Sequence, residues 1–425
     1  MNYIYNSNQY ANELLERFLR YVKIWTESDG EAADKGVFPS TQRQFDLARV
    51  LEQELKSLGL EQVQVTEDCY VYGFLKENVT TSGGPSRASG TTAGLGSPEP
   101  HVVPEPVEGA LNDPILFLAH MDTVDEVSGK DVKPVLEKLT GSDGNTDTII
   151  RSDGTTLLGG DDKAGVAAIM SALAYLKQNP DIKHRPVEVI FSPDEETGHG
   201  MDRVPLKLIK SKYAYTVDGG SEGELESECF NAWAAEVEFT GKACHTGDAK
   251  AGGMINANLM ASDFASLLPR DKMPETTEGY QGFIALMETR GGIEKATMSL
   301  LLRAFNIEEI EQEKQLLEEN ARIIQQKYGS GAKVYVKFKQ QYLNMKAELD
   351  KHPQVVAQLE QAYKDSGVQI IRKPIRGGTD GSRLTEMGIP TPNIFTGGHE
   401  FHSRNEWVSL NSMCKAADVL INLLS

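Results

Sequence analysis

The sequence predicts an α/β protein in which a larger domain, built on a mostly parallel sheet with helices on both faces, is interrupted by a smaller α/β sandwich. Three observations predict it. From 115 to 220 short apolar runs alternate with helical patterns, and each run ends on an acid or an imidazole. Between about 222 and 345 the order becomes strand, helix, strand, strand, helix, strand. After 346 the earlier alternation returns. The expected organisation is therefore 1–221 and 346–425 as two parts of one domain, with 222–345 inserted between them.

The elements follow in order. "MNYIYNSNQYANELLERFLRYVKI" reads as an amphipathic helix, and it lacks the basic end, apolar centre and cleavage site of a signal peptide. "QRQFDLARVLEQELKSLGL" has helical apolar spacing, and "EQVQVTEDCYVYGFL" alternates as strands do. Residues of about 80–110, including "TTSGGPSRASGTTAGLGSPEPHVVPEPVEG", hold almost no large apolar side chain and read as a flexible insertion. "ILFLAH" is a buried strand. "TLLGGDDKAGVAAIMSALAYLKQNP" turns at Gly159 and Gly160 and then runs as a helix to Asn179 and Pro180. "PVEVIFSPDEETGHG" and "YAYTVDGG" are strands that open into acidic loops.

Composition narrows the function. The chain has 43 Lys plus Arg against 62 Asp plus Glu, a formal charge of −19 that repels phosphate backbones and anionic lipid. Nucleic acid and membrane surfaces are thereby poor partners, and no stretch approaches the roughly 20 apolar residues that span a bilayer. Cys69, Cys229, Cys244 and Cys414 are far apart, which indicates neither a disulfide framework nor a thiolate metal site and fits a reducing cytoplasm.

In open α/β sheets, ligands collect beyond the carboxyl ends of the strands. That edge would receive His120 and Asp122, then Asp161 and Asp162, Glu195 and Glu196, Asp218, and finally His399 and His402. So many carboxylates repel one another unless a multivalent cation neutralises them. Imidazole mixed with carboxylate suits zinc, cobalt or manganese, and such a set can hold two ions if one carboxylate bridges them. Of the adjacent acids 195 and 196, one can bind metal while the other acts as base. His101, His184 and His352 lie in polar surroundings and are expected at the surface.

With these motifs in place, the chain resembles the M20 family of cocatalytic metallopeptidases, and within it the peptidase T branch of tripeptide aminopeptidases. The likeness rests on "AHMDT" with "SGKDVKP", "TLLGGDDKAG", "PDEETG", "VDGGSEGELESECFNA", "PETTEGYQGF", "PIRGGTDGSRL" and "PNIFTGGHEFHSRNEWV". It implies a dinuclear-metal aminopeptidase that releases the N-terminal residue of short peptides, tripeptides first, with two divalent ions, zinc foremost. His120 and Asp218 would bind one ion, Glu196 and His402 the other, and Asp161 would bridge. Glu195 would be the general base and Asp122 would steer His120. His402, which precedes "SRNEWV", is the expected ligand over His399.

The same resemblance implies that the inserted domain acts as a lid or dimerisation unit, with a homodimer through it as one option. Its His245 would reach the oxyanion, while Arg376, Arg303 and Asn256 would contact the peptide. Three features depart from the family pattern: Ala304 where an Asp usually follows Arg303, a longer stretch from His245 to Asn256, and a shorter one from Asp125 to Leu157. The alternatives are another M20 hydrolase (a dipeptidase, carboxypeptidase or N-acyl amino acid amidohydrolase) and a metal- or peptide-binding protein without catalysis.

Overall fold

The computed structural model describes residues 3–78, 113–141 and 144–425; the expected insertion of about 80–110 lies outside them. The chain begins with α1 (Asn8–Tyr21), α2 (Gly30–Asp34) and α3 (Gln44–Leu58), followed by β1 (Glu61–Val65) and β2 (Val71–Leu75). Next come β3 (Ile115–His120), β4 (Val135–Thr140), β5 (Thr146–Arg151), α4 (Gly160–Gln178), β6 (Val187–Ser192), β7 (Ala214–Gly219) and β8 (Glu224–Glu226). Among the described residues the large sheet runs β1-β2-β6-β3-β7, then β14 (Asn393–Phe395), β8 and β13 (Ile371–Arg372). Its central pairs β6-β3, β3-β7 and β7-β14 are parallel, as expected.

The apolar run at 115–119 exists because both faces of β3 are covered, so neither parity of side chain meets water. Ile115, Phe117 and Ala119 enter the main core. Leu116 and Leu118 pack on the opposite face with Tyr70, Tyr72 and Leu384. Helix α4 is buried along almost its whole length, between β3 and β7 on one side and α1 and α11 (Leu410–Leu424) on the other. Its Ala-rich sequence lets helices approach from several directions, and it stops at Asn179 before Pro180.

A second sheet, β10 (Phe283–Gly291), β11 (Lys295–Ala304), β9 (Asn231–Thr240) and β12 (Lys333–Tyr342), is antiparallel throughout. Helices α6 (Ala257–Ser266) and α7 (Ile307–Tyr328) cover one face of it; a short α5 (Ala249–Gly252) precedes them. The chain order is the sandwich order expected from sequence. β8 belongs to the large sheet, so the chain enters the second sheet at Asn231, later than 222. The large domain resumes with α8 (Lys346–Leu349), α9 (Pro353–Asp365) and α10 (Asp380–Glu386). A third sheet, not foreseen, joins β15 (Gly398–His399) and β16 (Trp407–Ser409) to β5 and β4.

Glu313, on the covered face of α7, is 2% exposed, and neither carboxylate oxygen has a hydrogen-bond partner among the described residues. Burial and then Glu309 push its pKa from 4.5 to about 8, against Lys272 and Arg303. A carboxyl raised on folding costs stability once it ionises, so stability should fall between pH 4.5 and about 8. Glu313→Gln should remove that slope. Unfolding free energies of the two proteins from urea titrations should diverge by a few kcal/mol between pH 5 and 8, at about 1.4 kcal/mol per unit; parallel curves would refute it.

Candidate metal centre

The carboxyl edge of the large sheet gathers the predicted side chains. His120 ends β3 opposite Ser192, the last residue of β6, and Asp218 lies in the adjacent β7. Asp161 opens α4, and Glu195 and Glu196 sit in the loop after β6. His402 comes from the turn between β15 and β16, at φ +57°. A non-glycine residue in that left-handed region persists only where its surroundings hold it.

The side chains face one another nitrogen to oxygen. His120 Nε2 is 3.0 Å from Asp161 Oδ1 and 3.5 Å from Asp218 Oδ1. His402 Nε2 is 3.3 Å from Asp161 Oδ2 and 3.1 Å from Glu196 Oε2. One carboxylate thus reaches both imidazoles, one oxygen each. Asp122, fully buried, lies 3.4 Å from His120 Nδ1, and its two oxygens accept the backbone N–H groups of Glu195 (3.0 Å) and Glu196 (3.2 Å). It orients the ring and the acidic loop together.

The electrostatics favour positive charge at this edge. Burial disfavours a charge on His120, yet Asp218, Asp122 and Asp161 outweigh it and hold its pKa well above the ordinary value. Hydrogen bonds that His402 donates to Asp161 and Glu196 raise its pKa to about 11. Burial lifts Glu196 to about 8 and Asp218 to about 6, the latter against the pull of His120. Burial lifts the Glu195 carboxyl well above its usual range, against the pull of His120. Asp161 alone is lowered, because two imidazoles overcome its burial. The carboxylates favour positive charge at both rings, and a divalent cation would supply that charge while the neutral ring nitrogens serve as its ligands. Two imidazoles and three carboxylates without thiolate therefore fit divalent ions.

Asp162 also comes within ligand distance of His120 and Asp218, their ligand atoms lying within 4.8 Å of one another. Its oxygens are already engaged, Oδ2 by the N–H of His120 at 3.2 Å and Oδ1 by that of Gly165 at 3.0 Å. It is an anchor for the turn, whereas Asp161 carries the oxygens directed at the imidazoles. Gly165 is required for a different reason: a Cβ there would sit 1.8 Å from the Val217 carbonyl, where α4 crosses β7. Gly165→Ala should cost about 3 kcal/mol in chemical denaturation, and a loss below 1 would show that the crossing gives way.

Other predicted residues lie apart from this cluster. His245 is 80% exposed, accepts the Gly247 N–H at 3.1 Å and lies 3.8 Å from Asp248. Asn256 caps α6 through the Asn258 N–H at 3.0 Å. Arg303 donates to the carbonyls of Trp233 and Leu302 and lies over the Tyr342 ring. Arg376 donates to the carbonyls of Thr277, Gly279 and Gln281, tying the two domains together. His399 stacks on Trp407 at 3.8 Å, and its Nδ1 is 3.4 Å from Ser221 Oγ. His184, expected at the surface, is buried: its Nδ1 is 2.9 Å from the Arg185 carbonyl, and its backbone N–H binds Asn78. Polar sequence neighbours misled there, because a satisfied imidazole packs readily.

Supporting residues escaped the sequence reading. Asp194, at φ +55°, fixes the acidic loop by accepting from Ser40 N at 2.6 Å and Gln44 Nε2 at 2.6 Å. Glu406 holds the turn before α4, and its only sequence signal is a place four residues after His402.

A family model described as Peptidase family M20/M25/M40 matches residues 116–425. The chain belongs to the M20 peptidase family. Relatives of this M20 chain include Peptidase T of Clostridium perfringens strain 13, 42% identical over 96% of this chain and 97% of the relative. Peptidase T of Geobacillus sp. strain WCH70 is 40% identical over 97% and 98%. Among solved structures, aminopeptidase PepT from Bacillus cereus superposes with a TM-score of 0.72 at 22% identity, covering 97% of this chain and 98% of that one. A tripeptidase from Staphylococcus aureus gives 0.70 at 21%, covering 97% of each. Both likenesses show the M20 fold. Among the described residues no helix is long and apolar enough to cross a membrane.

Proposed function

We propose that this M20 chain is a two-metal aminopeptidase that releases the N-terminal residue of short peptides, tripeptides first. The observation that carries the reading is one carboxylate, Asp161, directed at two imidazoles beside Glu195, in a chain whose full-length relatives are named Peptidase T. His120 and Asp218 would hold one ion, Glu196 and His402 the other, with Asp161 shared; zinc is the first choice and cobalt or manganese the alternatives. When bound, such ions lower the pKa of water from about 15.7 to about 7 and polarise the scissile carbonyl.

The chain's own residues do the rest. Among the described residues the Glu195 carboxylate accepts no hydrogen bond, while its backbone N–H is pinned by Asp122. It would take a proton from water as the oxygen adds to the carbonyl carbon, and return it to the leaving nitrogen as the C–N bond breaks. His245 would meet the oxyanion only after the inserted domain, 222–345 in outline, swings toward the large one. Arg303 and Arg376 would turn from carbonyls to the peptide in the same movement, and Asn256 would contact it. A homodimer through the inserted domain accords with the exposed strand β10 at its sheet edge.

The test is a panel of peptides of two to five residues, with free and blocked ends, given to zinc- or cobalt-loaded enzyme. Ala-Ala-Ala should be cleaved at its first bond and its N-acetyl form left intact. Cleavage of acylated amino acids or dipeptides, with tripeptides untouched, would move the chain to another M20 activity.

A further inference from the structure

Asp161 can present one oxygen to each imidazole only if its backbone is held, because the turn before α4 is otherwise a run of two glycines and two aspartates. Glu406 holds it. The side chain is fully buried, and it accepts three backbone N–H groups of that turn: Leu158 at 3.1 Å and Gly159 at 2.8 Å through Oε2, and Asp161 at 2.9 Å through Oε1. Buried backbone N–H groups must find acceptors, and here one side chain satisfies three of them. Gly159, at φ +78°, lets successive N–H groups converge on one carboxylate. Gly160 lets the carboxylate approach, since a Cβ there would lie 2.6 Å from Val408 Cγ2 and 3.0 Å from Glu406 Oε1.

The carboxylate is itself anchored. Glu406 immediately precedes β16, where Trp407 and Val408 pair with Arg151 and Ile150 of β5. Lys163, 1% exposed, donates to the Ile24 carbonyl at 2.8 Å and brings its ammonium beside Gly159. The segment that carries His402 to one side of Asp161 thus carries Glu406 to the other, and a spacing of four residues sets both.

We infer that Glu406 is a positioning residue for the metal centre: by clamping the 158–161 turn it aims the Asp161 carboxylate at both imidazoles, and ion retention depends on it. The inference rests on the two-ion reading above. Groups that orient metal ligands are worth about 10- to 100-fold in affinity.

The experiment titrates Co2+ into metal-stripped, full-length proteins, with absorption spectra, bound metal by mass spectrometry, and melting of the stripped forms. Wild type should take up two equivalents. Glu406→Gln should weaken the second by about 10-fold or more and alter the cobalt spectrum; Gly160→Ala, which pushes the turn off Glu406, should do the same. Asp418→Asn is the control for lost buried support, since Asp418 also accepts two backbone N–H groups, from Ile4 and Tyr5, in a different part of the fold. It should lower the melting temperature and leave cobalt uptake unchanged.

Two tightly held ions in both Glu406→Gln and Gly160→Ala would overturn the inference, as would equal cobalt loss in Asp418→Asn. If stripped Glu406→Gln does not fold, Gly160→Ala decides alone. Wild type binding fewer than two ions would overturn the two-ion reading instead, so the two failures are distinct.

Discussion

Glu195→Gln is expected to lower kcat about a thousand-fold, within the 10²- to 10⁴-fold range for a general base, while the protein keeps its full metal content. The amide has nearly the shape of the carboxylate, and Asp122 holds the loop through the N–H groups of residues 195 and 196, which the substitution leaves in place. His120 and His402 keep their partners Asp161, Asp218 and Glu196. Only the acceptor of the water's proton is lost. Turnover on Ala-Ala-Ala measured beside metal content separates the possibilities: near-normal kcat with both ions bound would remove Glu195 from the reaction, and loss of metal would make it a ligand.

Asp161→Ala should reduce turnover to background and abolish tight binding of both ions. His402→Ala should cost one ion and leave the other on His120 and Asp218. The difference follows from the shared carboxylate, whose two oxygens face two different rings. Metal stoichiometry after dialysis reads the contrast directly. An Asp161→Ala protein that retains one tightly held ion would show that the carboxylate does not bridge. The stripped variant should stay folded, because the clamp on residue 161 acts through its backbone N–H.

Much of the site was legible because strand ends and helix starts are local events. Apolar runs break where residues leave the core, so His120, Asp161, Glu195, Glu196 and Asp218 each stand at a visible transition in the sequence. Types and spacing then suggested imidazole–carboxylate chemistry, and the family resemblance distributed the roles and preferred His402 to His399. The structure brings His402 to the carboxylates and stacks His399 on Trp407.

The sequence by itself determined the parallel core, the inserted sandwich and the side chains that meet at the strand ends, since hydrophobic period and motif order are properties of neighbouring residues. Only the tertiary structure decided what supports them. The Asp161 N–H finds its carboxylate 245 positions away, Arg376 donates to carbonyls nearly a hundred positions away, and His184 is buried beside Asn78. Such contacts depend on which segments the fold brings together, and no local pattern encodes that.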